Sequence, residues 1–160
     1  MKSRDLNSQH QRLRSLISKA DLSEGFDFEM QAHWAQYLCV ISAGFIENSV
    51  KIVYTQYSKQ SSPSPIARYV GGQLSRIQNP KAQKILETAK SFKSEWGDGL
   101  EKFLSENGRK EAVDSIMNNR HAIAHGRSAN ITIHSLKDYL RKSVEVINFL
   151  EKQCGIGSHY

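Results

Sequence analysis

The sequence predicts an all-α fold, an up-and-down helical bundle of about four main helices plus short helices. Three observations predict it. Apolar residues recur at three- and four-residue intervals through the long segments 27–57, 110–124 and 133–153, which is helical periodicity. No stretch shows the strict alternation of a half-buried strand. The breaks carry turn chemistry: the run Ser61-Ser62-Pro63-Ser64-Pro65, the pair Asn79-Pro80, and Gly126. With 160 residues and 39% hydrophobic content, the chain is long and apolar enough for one full-sized core. The expected division is a single domain over residues 1–153 and a flexible tail over 154–160.

Lys2 to Ala20 reads as the first helix. Leu6, Leu13, Leu16 and Ile17 give it a sparse apolar stripe, with Arg4, Arg12, Arg14 and Lys19 around it. The favoured reading is a peripheral helix with a solvated face; the functional one is a basic arm that helps to hold RNA. Asp21 to Gly25 is a connection. Asp27 can cap the second helix, with Glu29 in its first turn, and the helix runs to about Tyr57. Trp34, Tyr37, Leu38, Ile41, Phe45 and Ile52 form one stripe, while Val40, Ala43, Val50 and Tyr54 cover much of the opposite side. A helix apolar nearly all round is a central buried helix. Glu47 follows the uncharged run Trp34 to Ile46, and a carboxylate on a buried helix needs a partner. Two pairings are open: Arg120, or Lys51 four residues on at the surface.

Lys59 to Pro65 is a loop. Ile66 to Ile77 is a short helix weakened by Gly71-Gly72. Asn79-Pro80 signals a helix start, a cap residue followed by proline at the first helical position. The helix from Lys81 to about Phe92 turns Ile85, Leu86, Ala89 and Phe92 inward. Trp96-Gly97-Asp98-Gly99 is a turn, and Leu100 to Leu104 a short helical piece. Lys110 to Ala124 is the penultimate long helix, which Gly126 ends. After a connector, Thr132 can cap the last helix, Ile133 to about Gln153, whose inward face is Tyr139, Val146, Phe149 and Leu150, helped by Leu136 and Ser143. Gly155 to Tyr160 reads as a frayed tail.

The chemistry concentrates at the end of the penultimate helix. Val113, Ile116, Met117 and Ala124 share one face at about 100° per residue. Arg120 lies near the middle of that face. A guanidinium stays charged when buried, so it needs an anionic partner or a wet cavity. His125 follows at the helix end, where the dipole favours cations. One permanent cation and one titratable imidazole at a single helix terminus suit the binding and cleavage of a phosphodiester.

At Asn119-Arg120-His121-Ala122-Ile123-Ala124-His125-Gly126 the chain resembles the HEPN family, specifically its RiboL-PSP-like branch, whose motif is an Arg, four to six residues, then a His. The resemblance covers residues from about Asp27 to Gln153. It implies an all-α bundle and a metal-independent endoribonuclease, with no cofactor, acting on RNA as a homodimer that brings two motifs together across a cleft. It implies Arg120 and His125 as the catalytic residues, with Asn119 and His121 in support; Glu47 is a supporting candidate on the separate ground that its carboxylate can pair with Arg120. A toxin or an antiviral or stress effector cleaving cellular RNA is the expected role; the alternative is a non-catalytic RNA-binding or dimerisation module. The family often has Asn or Asp directly after the Arg, where this chain has His121. An antitoxin or effector partner stays open. In one subtype a Tyr two residues after the motif His is modified by a partner antitoxin; that position is Arg127 here, so that partner is not implied. Arg127 and Lys110 are instead candidates to bind the RNA backbone.

Composition bounds these readings. Lys plus Arg is 22 against 16 acids, a formal charge of +6, which favours polyanions. His121 and His125 have zinc-ligand spacing, but no Glu follows His121 and no third ligand is near in sequence, so no metal is expected. Cys39 sits in an apolar run and reads as a small core residue, and a disulfide with Cys154 is not expected. The start, Met1 to Leu6, is polar without a signal-peptide core, and no apolar run approaches a membrane span. The expectation is a cytoplasmic protein.

Overall fold

The computed structural model describes residues 1, 3–21, 25 and 27–156. Among them lie seven helices and no strand: α1 (Arg4–Asp21), α2 (Phe28–Ser61), α3 (Ser64–Leu74), α4 (Ala82–Phe92), α5 (Ser94–Ser105), α6 (Arg109–Ala124) and α7 (Ile133–Gln153). The expected helix start at Lys2 lies outside the described residues, as do 22–24 of the first connection and 157–160 of the tail.

The organising element is α2. It starts where the sequence places its cap: the Asp27 carboxylate accepts the Met30 amide at 2.8 Å. Its 34 residues extend about 51 Å at the usual helical rise, and it packs against α1, α3, α6 and α7. Leu38, Ile46, Val50, Val53 and Tyr54 are buried on it. Ser42, Ser49 and Ser58 are buried too, and each hydroxyl donates to the carbonyl four residues back, at 2.7–2.8 Å. That satisfies the polar group inside its own helix and leaves a small surface for neighbours to approach. By length and composition α2 could cross a membrane, against the expectation that no segment could, but 56% of its most apolar window is buried inside the bundle.

The helix ends differ from expectation in instructive ways. α2 runs through the expected loop to Ser61, because the Ser58 and Ser61 hydroxyls bond back to Tyr54 and Tyr57 and do not turn the chain. Asn79-Pro80 does not begin α4. Asn79 holds a left-handed φ of 45°, and α4 starts at Ala82, whose amide donates to Asp114 of α6 at 2.8 Å. A cap from another helix has replaced the local one. The expected turn at Gly97-Asp98-Gly99 lies inside α5, and Gly97 is buried there. A Cβ at Gly97 would fall 2.0 Å from Lys90 Cγ, so this glycine serves a close α4–α5 approach.

α1 is more deeply seated than a peripheral helix. Leu6, Leu13 and Ile17 are buried against α2 and α7. α7 begins with the expected Thr132 cap, reinforced by the reciprocal Ser135 hydroxyl. Packing continues past Gln153: Cys154 and Ile156 are buried, and the Ile156 amide closes on Glu151 O at 2.9 Å. Glu151, 1% exposed, accepts the Ser3 amide at 3.0 Å and so joins the start of α1 to the end of α7.

Candidate active site

The motif sits at the C-terminal end of α6, and local chemistry puts it there. Ala112, Val113, Ile116 and Met117 are buried and fix which face of α6 meets the bundle. Arg120 is one turn further along that face and half-buried; Ala124, expected inward, is exposed. The helix ends with His125 as its cap and Gly126 at φ 64°. The Gly126 amide donates to Ile123 O at 3.1 Å and the Arg127 amide to Ala122 O at 2.9 Å. This is the paired closure of a Schellman end, which satisfies carbonyls that would otherwise be orphaned. His125 and Arg127 are therefore held by backbone geometry on either side of one glycine.

Four sequence-predicted residues share this helix end: Arg120, His121, His125 and Arg127. The imidazoles of His121 and His125 stand 4.4 Å apart between ring centroids, tilted by 57°, and both are exposed. Among the described residues, the Arg120 side chain makes no hydrogen bond or ion pair. A half-buried guanidinium without a carboxylate is a ready anion site. Asn119 belongs to the same turn but is turned back on its helix, its amide donating to Ser115 O at 2.9 Å. No group of three or more metal-ligating side chains occurs among the described residues.

Two candidates fall elsewhere. Glu47 does not meet Arg120. Its carboxylate accepts Lys51 Nζ at 2.7 Å and the Asn79 amide at 2.6 Å, so the surface pairing prevails and Glu47 holds the α3–α4 connection. The reason is helix register. Cys39 is the α2 residue level with Arg120: its thiol reaches Ile116 O at 3.6 Å and it also meets the Arg120 backbone amide. Glu47, eight residues further along α2, is displaced by about 12 Å. Lys110 is exposed at the opposite end of α6, about 22 Å along the axis from His125.

Cys39 is a contact that sequence reasoning placed only as core. It is fully buried, and burial pushes its thiol up to about 12, so it packs as a neutral group between α2 and the last turns of α6. Only the apolar run around it hinted at this, and nothing in the sequence named its partners.

A match to the RiboL-PSP-HEPN family spans residues 4–155. The chain belongs to the RiboL-PSP-HEPN family. The match takes in α1 as well as the expected core from Asp27 onward. No curated protein and no solved structure matches the chain. This HEPN module thus carries its Arg and both His residues on one exposed helix end.

Proposed function

We propose that this HEPN protein is a metal-independent endoribonuclease, acting in the cytoplasm on cellular RNA as a toxin or antiviral effector. The observation that carries the reading is the cluster at the end of α6: an unpaired, half-buried Arg120 beside two exposed imidazoles 4.4 Å apart. Arg120 holds the non-bridging oxygens of the scissile phosphate and stabilises the charge that grows on them. An unprotonated imidazole takes the proton of the ribose 2′-OH; the O2′–P bond forms as the P–O5′ bond breaks. A protonated imidazole delivers its proton to O5′. The products are a 2′,3′-cyclic phosphate and a 5′-OH. His125 is the first proton carrier, and His121 or the partner subunit's motif supplies the second.

The second part of the proposal is a symmetric homodimer with the two motifs across one groove. An arginine on an otherwise inward face is better served by a wet intersubunit cleft than by a dry core. Incubation with single-stranded RNA in EDTA, beside Arg120→Ala and His125→Ala proteins of matched melting temperature, tests the activity. Cleavage by the parent alone is expected; equal cutting by His125→Ala overturns the assignment, and binding without cutting by the parent replaces it with a non-catalytic RNA-binding module. Light scattering across a dilution series tests the dimer, which a monomer at every active concentration refutes.

A further inference from the structure

Glycine weakens a helix interior, so a glycine in the middle of a long helix calls for a reason. For Gly97 the reason is the Lys90 stem. Gly44 stands in the middle of α2, and a Cβ there would meet nothing within 4 Å. No described residue comes close enough to require it. Gly44 opens instead into a groove of about 400 Å³ between α1 and α2. That volume lies within the usual range for small-ligand sites, about 300–1,000 Å³.

The floor of the groove is apolar, made by Leu13, Leu16, Ile41 and Phe45. Tyr37 stands at its side. The sequence puts this ring on the inward stripe of α2, yet it is 53% exposed. Trp34 meets it in an edge contact, with ring centroids 5.6 Å apart, which fixes the ring and leaves much of it open. Arg12, Gln9 and Asn48 also line the groove, and none of their side chains makes a hydrogen bond or ion pair among the described residues. None of the lining residues is acidic. A stacking platform, two amides that can read a base edge and one unmatched cation are the parts that hold a nucleotide. A second copy of the chain docked here by two-fold symmetry would bring another Arg12, and no acid, to meet the first.

The groove is level with the motif. Tyr37 is two residues from Cys39, about 3 Å along α2, and Cys39 is the α2 residue level with Arg120. At about 100° per residue, Tyr37 and Ile41 lie on the opposite side of α2 from Cys39. The groove and the motif therefore flank α2 about one helix diameter apart, about 10–12 Å.

We propose that the α1–α2 groove is a base-stacking subsite, which seats a nucleotide of the RNA strand close to the one cut at Arg120 and His125. The base lies on Tyr37 and against Gly44, and the phosphate lies on Arg12. The proposal rests on RNA as the ligand of the active site, but its test does not depend on cleavage. The probe is a fluorescein-labelled single-stranded RNA, read by anisotropy at several salt concentrations, with EDTA, in a His125→Ala protein as the parent. Tyr37→Ala should weaken binding about tenfold, within the range for loss of one stacked base. Arg12→Gln should lower the salt slope by about 0.7, for one phosphate no longer neutralised. Gly44→Leu should fill the groove and weaken binding while the melting temperature rises, because leucine is the better helix former. Tyr69→Ala and Lys59→Gln make matching changes at exposed positions on α3 and at the far end of α2, and should change affinity and slope much less.

Equal weakening by Tyr37→Ala and Tyr69→Ala, or unchanged affinity in Gly44→Leu, overturns the groove and leaves the active-site reading intact. Failure of the parent to bind RNA overturns both. A fall from dimer to monomer in light scattering of Gly44→Leu gives the groove to a second copy of the chain and overturns the subsite.

Discussion

Gly126→Ala is the sharpest probe of how the fold presents the motif. Gly126 has φ 64°, and a Cβ there would meet nothing within 4 Å. The cost is therefore the backbone cost of a left-handed alanine alone, about 1–2 kcal/mol. For a chain of this size each kcal/mol lowers the melting temperature by about 2–4 °C. The protein contains its own control. Gly155 ends α7 with φ 66°, has equally open space, and closes the same Schellman pattern through Gly155 and Ile156. Gly155→Ala should therefore cost the same stability. Melts and initial rates of RNA cleavage, taken well below the transition, separate the two effects. The expected result is a matched loss of stability with impaired cleavage only for Gly126→Ala, because only that cap positions His125 and Arg127. Normal cleavage by Gly126→Ala at the full stability cost, or equal loss of cleavage in both variants, refutes the view that this helix end builds the site.

Other perturbations follow from the same geometry. Glu47→Gln and Arg120→Met should give additive stability losses in a double-mutant cycle, within about 0.5 kcal/mol, because the two side chains do not meet; a larger coupling places them together. Tyr54 is fully buried with no hydrogen-bond partner for its hydroxyl among the described residues, while its ring stacks on Phe92 at 4.9 Å. Tyr54→Phe keeps the stack and removes the orphan group, so it should be neutral or stabilise by about 1 kcal/mol in urea melts; a loss above that would show a hidden partner. Burial raises the thiols of Cys39 and Cys154 from an ordinary 9.0 to about 12. Raised folded values mean that their contribution to stability is intact below pH 9 and fades as pH climbs toward 12, where the unfolded chain ionises first. Neither thiol should be alkylated by iodoacetamide at pH 8 until the protein unfolds, as mass spectrometry would show; rapid native modification contradicts their burial.

The long helices were legible because their signals are local. The Asp27 cap, the Thr132 cap and the glycine after His125 each act within a few residues, and all three lie where the sequence puts them. Misreadings came where a distant side chain took over a local task. Asp114 caps α4 in place of Asn79, and the Lys90 stem makes Gly97 a packing residue within a helix. The clustering of Arg120, His121 and His125 was legible for the same reason as the caps: fewer than two turns at one helix end contain it. The fate of Glu47 was not, since it depends on the register between α2 and α6, which no residue spacing within either helix encodes.

The bond from the Ser3 amide to Glu151 spans 148 residues, so it ties the first turn of α1 to the last of α7. In kinetic terms it closes a loop that contains almost the whole chain. Loop-closure entropy grows only logarithmically with length, so the tie costs little more than a shorter one. It also makes the two chain ends a single cooperative unit of local opening. Loosening the last turn of α7 would uncover Leu6, and fraying of α1 would leave Glu151 buried without its Ser3 donor. Amide protection at the two ends should therefore rise and fall together, although they are the most distant parts of the sequence.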